Sequence, residues 1–116
     1  MKFIFMVRTG PYSYQNIDTA YHLAKRAVDK GHDVFIYLYE DGTINTNSEI
    51  KSLEERNIAE MMKELVDKGV RIGVCGTCAK FRGISKKSIV EGVKYAGLAL
   101  LVGEIQDCDR FVSFGY

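Results

Sequence analysis

Proline occurs once in this 116-residue chain, at Pro11, tryptophan not at all, and histidine only at His22 and His32. Charge of one sign is also lacking. Sixteen Lys and Arg against fifteen Asp and Glu leave a formal charge of +1, without the surplus that general nucleic-acid binding draws on. Long apolar runs are missing too. The N-terminal run Phe3 to Val7 is five residues before Arg8, too short for a signal-peptide core or a membrane span. A cytoplasmic protein without a membrane or nucleic-acid partner is the expectation. Cysteine is scarce and odd in number: three residues, two of them only three positions apart, which argues for free thiols rather than a secreted disulfide framework.

What is present is apolar mass. A hydrophobic fraction of 47% supplies one core, and the length is too small for two, so residues 1–116 read as a single domain. The run Phe3 to Val7 reads as a strand buried on both faces of a parallel sheet. After Thr9-Gly10-Pro11, the residues Ile17, Ala20, Tyr21, Ala24, Ala27 and Val28 recur at helical spacing. That helix ends at Lys30-Gly31, a cation at the negative helix end followed by a residue suited to a left-handed cap. A second strand covers Val34 to Leu38. Glu40 to Ser52 is polar and without period, and reads as one long loop. A second helix buries Ile58, Met61, Met62, Leu65 and Val66, stops at Lys68-Gly69, and leads into a strand from Val70 to Val74.

Beyond Cys75 the sequence predicts a turn, a short helical stretch around Ser85 to Glu91, a brief strand at Val93 to Tyr95, and a helix. That helix would bury Leu98, Leu101, Val102 and Ile105 ahead of a last strand from Arg110 to Phe114. Alternating strands and helices imply an α/β fold: a three-layer domain, flavodoxin-like in architecture, whose mostly parallel sheet of about five strands is flanked by helices.

Chemistry concentrates in Cys75-Gly76-Thr77-Cys78-Ala79-Lys80-Phe81-Arg82-Gly83. In open parallel sheets, reactive groups gather outside the carboxyl ends of the strands, and Cys75 ends the third strand. Backbone N–H groups of a helical turn after it, with Lys80 and Arg82, would favour a thiolate over a thiol. The bland alternative is a small buried hydrophobe closing a strand.

Several cysteine chemistries are separated by what else the chain holds. A thioredoxin-type site needs a later cis-proline, and Pro11 lies upstream. A cysteine phosphatase needs C-x5-R, whereas six residues separate Cys75 from Arg82 and three separate Cys78 from Arg82. A structural zinc site needs four ligands, usually in two close pairs, and Cys108, His22 and His32 form no second pair. No cofactor or metal is expected. Persulfide transfer asks only for one activated cysteine that accepts a sulfur and surrenders it to another thiol.

Over nearly its whole length the sequence resembles the DsrE-like family of sulfur-relay proteins, which includes TusD-like subunits of tRNA thiolation and proteins of bacterial sulfur oxidation. The resemblance rests on Thr9-Gly10-Pro11, on Tyr39-Glu40-Asp41-Gly42 with Asn45, on Val74-Cys75-Gly76-Thr77-Cys78 with Arg82-Gly83-Ile84, and on Asp109-Arg110-Phe111-Val112-Ser113-Phe114. It implies that Cys75 is the sulfur carrier, supported by Gly76, Thr77, Lys80, Arg82 and Gly83. Cys78 is an additional cysteine, as in a two-cysteine, single-gene branch of the family. It also implies persulfide donor and acceptor proteins as partners and assembly as a homotrimer or homohexamer.

The function expected is therefore that of a sulfurtransferase. A C-x-x-C thiol redox protein and a non-catalytic oligomeric binding or assembly protein are the alternatives. Tyr12, Tyr14, Tyr37, Tyr39 and Phe81 fall near predicted strand ends or loops, where an interface or cleft could use them. Gln15 and Asn16 read as caps of the first helix, Asp107 and Asp109 as polar ends of elements, Cys108 as structural, and His22 and His32 as solvated.

Overall fold

The computed structural model describes residues 1–53 and 56–115. Along the chain run β1 (Lys2–Val7), α1 (Asn16–Asp29), β2 (Asp33–Leu38), a 3-10 helix (Glu40–Thr46), α2 (Ile58–Asp67), β3 (Arg71–Val74), α3 (Gly76–Phe81), β4 (Lys94–Tyr95), α4 (Leu98–Ile105) and β5 (Arg110–Phe114). The strands form one sheet in the order β4-β3-β2-β1-β5, and every pairing is parallel. This is the three-layer α/β fold expected.

Alternation along β1, β2 and β3 sends side chains to two separate cores. One holds Val7, Ile36, Leu38, Ile72 and Val74 against Ile17, Ala20 and Ala24 of α1 and Ile58, Met62 and Leu65 of α2. The other is smaller, made of Ile4, Phe35, Tyr37, Ala96 and Leu101, with Tyr39, Cys75 and Cys108 packed around it.

Three helices end alike. The N–H of His32 reaches Ala27 O, that of Val70 reaches Leu65 O and that of Ile84 reaches Ala79 O. Each follows a left-handed glycine, Gly31, Gly69 or Gly83. This is the six-to-one closure that a glycine just past a helix permits. The first two endings are those read from Lys30-Gly31 and Lys68-Gly69; the third assigns Gly83 a backbone role.

Four expectations are corrected. The segment 40–52 begins as a 3-10 helix whose Gly42, Thr43, Asn45 and Thr46 are buried. It shows no apolar period because its polar side chains satisfy backbone carbonyls: Thr43 Oγ1 donates to Glu40 O at 2.9 Å, and Thr46 Oγ1 to Thr43 O at 2.7 Å. The stretch Ser85 to Glu91 is not helical; Ser88 Oγ accepts from Ser85 N–H at 3.0 Å, a side-chain bond that competes with helix formation. The helix lies earlier, directly after Cys75. In α4 only Leu101 is buried, while Leu98, Leu100 and Val102 are 53%, 51% and 55% exposed and Ile105 is also exposed. Among the described residues one short helix covers this side of the sheet, and the flanks of its apolar stripe meet no neighbouring helix. Finally, α1 takes no side-chain cap from Gln15; Asn16 Nδ2 instead donates to Thr9 Oγ1 at 2.9 Å.

Candidate functional site

Cys75 follows the last residue of β3 and is the N-cap of α3. Its Sγ accepts from the Cys78 N–H at 3.4 Å, so the thiol folds back over the first turn of the helix and lies beside Cys78. Both thiols are half-buried. They open into a cleft of about 660 Å³ lined by Cys75, Gly76, Thr77, Cys78 and Lys80, with Tyr39, Phe81, Tyr95 and the segment Ala96 to Leu98 around them. Five of the seven predicted site residues are thus brought together on one cleft. Gly76 packs beneath the Tyr95 ring, where a Cβ would stand 3.8 Å from it.

Arg82 and Gly83 line no part of that cleft. Arg82 Nε donates to Asp41 Oδ1 at 2.7 Å and its Nη1 to Cys78 O at 3.0 Å. The guanidinium thus supports the turn that carries the cysteines, and its charge is shared with a carboxylate. Lys80 remains exposed at the cleft.

Burial is the first cause that pushes the Cys78 thiol above its ordinary range, followed by the hydrogen bond with Cys75; the backbone N–H of Glu40 and the charge of Arg82 pull it the other way. Glu40 occupies the left-handed region at φ 52°, unusual for a residue with a side chain.

Beneath the cysteines lies Tyr37, which is fully buried rather than placed at a rim or interface. Its hydroxyl donates to Ala96 O at 3.0 Å. Burial holds the phenol well above its ordinary range, with Cys75 and Cys78 adding to the effect. The register explains this placement. Tyr37 pairs with Gly73, so alternation brings Phe35, Tyr37 and Tyr39 to the face on which Cys75 lies. Gly73 keeps that face low: a Cβ there would crowd Phe35 and Ala96. Nothing in the continuous apolar run of β2 marks Tyr37 as a neighbour of the thiols. Asp41 and Glu40 stand in a quoted motif, but only the pairing of distant segments gives them partners.

The other motif residues build the frame. Asn45 is buried and its Nδ2 donates to Thr9 O at 3.0 Å and Gly42 O at 2.9 Å, tying the turn after β1 to the 3-10 helix. Gly42 lies against the Val7 carbonyl, which a Cβ would overlap. Cys108 packs against the smaller core. His22 is exposed, whereas His32 is half-buried, its ring edge-on to Phe3 at 5.3 Å. Among the described residues no three of His, Cys, Asp and Glu converge to hold a metal ion, and no helix is long and apolar enough to cross a membrane.

Comparison with known proteins places this geometry among relatives. A model of the DsrE/DsrF-like family matches residues 1–114. An uncharacterized protein of Methanocaldococcus jannaschii is 31% identical over 98% of this chain and all of that one. The DsrE protein of Allochromatium vinosum, named as a sulfurtransferase, is 33% identical over 99% of both chains. A protein of Vibrio vulnificus named as a sulfurtransferase TusD homolog is 27% identical over 98% of both. The crystal structure of the YchN protein of Escherichia coli superposes with a TM-score of 0.83 at 25% identity, covering 98% of this chain and all of that one.

Proposed function

We propose, from the premise that the chain belongs to the DsrE/DsrF-like family, that it is a sulfur-relay protein carrying a persulfide on Cys75. The observation that carries this reading is the place of the Cys75 sulfur: at the carboxyl end of an interior strand, half-buried, with an N–H donor on it and an open cleft in front of it. The relatives named as sulfurtransferases support the same chemistry.

In the first step the Cys75 thiolate attacks the terminal sulfur of a donor persulfide R–S–SH. A bond forms between Cys75 Sγ and that sulfur, the R–S bond to it breaks, and the donor leaves as a thiolate. In the second, an acceptor thiolate attacks the same terminal sulfur and Cys75 is restored. The Cys78 N–H and the Lys80 ammonium at the cleft favour negative charge at the reacting sulfur. Arg82 and Gly83 act as positioning residues: Arg82 anchors the turn to Asp41, and Gly83 closes α3.

Donor and acceptor are proteins whose reactive sulfur enters the cleft, and the chain works in the cytoplasm, where free thiols persist. It assembles as a homotrimer or homohexamer. Support for self-association comes from the exposed Leu98, Leu100, Val102 and Ile105 of α4, together with Phe111 and Val112 of the edge strand β5, an apolar surface of the kind that interfaces cover.

The test uses Cys78→Ser to leave one thiol of the pair. Incubated reduced with a cysteine desulfurase and cysteine, then weighed intact, this variant gains the mass of one sulfur, and the further change Cys75→Ser abolishes the gain. No gain in either protein overturns the reading.

A further inference from the structure

A relay needs one sulfur carrier at this site, and the structure places two thiols there. We infer that Cys78 gives the protein a second activity, reductive release of sulfide: it attacks the persulfide held on Cys75 and expels the terminal sulfur. This rests on the reading that Cys75 takes a persulfide.

Juxtaposition is the first observation. Cys75 is the N-cap of α3 and Cys78 the third residue of that helix. The capping thiol is folded back onto the Cys78 N–H at 3.4 Å, and both cysteines line the same cleft. Residues three apart on a helix are neighbours, and a two-residue spacer at a helix start suits reversible disulfide formation.

A second, independent observation concerns Cys78 alone. Near it lies Glu40, a residue held at φ 52°, whose backbone draws the Cys78 thiol toward the thiolate against the larger effect of burial. Left-handed backbone at a residue with a side chain persists where surroundings enforce it, and such strain gathers at working sites. Arg82 adds positive charge on the same side, anchored by its bond to the Cys78 carbonyl. An inert packing cysteine needs no cation held beside it; a sulfur that becomes an attacking thiolate uses one. Cys78 also lines the cleft, so departing sulfide has a path to solvent.

The step balances. The Cys78 thiolate attacks the inner sulfur, Cys75 Sγ; a Cys75–Cys78 disulfide forms; the bond to the outer sulfur breaks and its electron pair leaves with it as HS⁻. Two cysteines are oxidised and one sulfane sulfur is reduced to sulfide. An external dithiol then reopens the disulfide by two exchanges. The substrate class is a persulfide, and the co-substrate a dithiol reductant.

The experiment is a single turnover of the reduced protein with one equivalent of glutathione persulfide, alkylated without reductant. Sulfide is trapped and counted, and the protein is weighed intact. Wild type is expected to lose two hydrogens and release one sulfide per chain. Cys78→Ser, and Cys78→Ala as a second variant, keep one extra sulfur and release none, while Cys75→Ser does neither. A wild type that retains the extra sulfur as the Cys78 variants do, or forms the disulfide without sulfide, overturns this inference and leaves the relay standing. Failure of both Cys78 variants to take any sulfur overturns the relay itself.

Discussion

Arg82 Nε donates to Asp41 Oδ1 across 2.7 Å, joining residues forty-one positions apart. The bond ties the end of α3 to the 3-10 helix that follows β2, so two motif segments form one support around the cysteines. Arg82→Gln and Asp41→Asn should each destabilise the fold. Because both side chains are partly exposed, their coupling in a urea double-mutant cycle is expected at only about 0.5–1 kcal/mol. Strict additivity would show that the bond has no such role.

The frame around the site is less forgiving. In Gly42→Ala the new Cβ overlaps the Val7 carbonyl, and backbone on both sides prevents relaxation, so a loss of about 3 kcal/mol is expected. Asn45→Ala leaves the Thr9 and Gly42 carbonyls buried without this donor, for a loss of about 2–3 kcal/mol. Thermal and urea unfolding measure both. A near-neutral result at either position would contradict the placement of the 3-10 helix against β1.

Cys78 should titrate above an ordinary thiol. In Cys75→Ser its burial remains, so alkylation by iodoacetamide should rise with pH through a midpoint above that of a free cysteine. The groups facing this sulfur are Cys75, the Glu40 N–H, Arg82 and, through Cys75, the phenol of Tyr37. Arg82 favours the thiolate, so adding Arg82→Gln should move the midpoint further up. A midpoint at or below that of free cysteine would contradict the burial seen here. For sulfide release the sign is the same: the attacking form is the thiolate, so the rate should grow as pH rises toward that midpoint.

Self-association is expected to depend on α4. Leu98→Asp and Val102→Asp place charge on the exposed apolar flank they share and should convert the assembly to monomers without unfolding them, as read by light scattering and circular dichroism. A monomeric wild type at micromolar concentration would remove the proposal.

Much of the frame was legible in the residues. The runs Phe3 to Val7 and Val34 to Leu38 read as strands because each is buried on both faces, and Lys30-Gly31 and Lys68-Gly69 read as helix ends because only a left-handed residue closes them that way. The 3-10 helix was not legible, since its burial rests on hydrogen bonds of Thr43, Asn45 and Thr46 and leaves no apolar period. Periodicity in α4 was real but misleading, because an apolar stripe records what a helix can bury and not whether a neighbour is there to bury it.

The chain by itself determined that Cys75 and Cys78 stand at the end of a strand, one turn apart, because spacing and the end of an apolar run are local properties. Tertiary structure alone decided what surrounds them. The β2–β3 register brought Tyr37 beneath the thiols, the Cys78 carbonyl took the Arg82 guanidinium, and Asp41 drew Arg82 into the scaffold. The first and last of those contacts join residues some forty positions apart, and their geometry comes from strand pairing and packing, which no local pattern encodes.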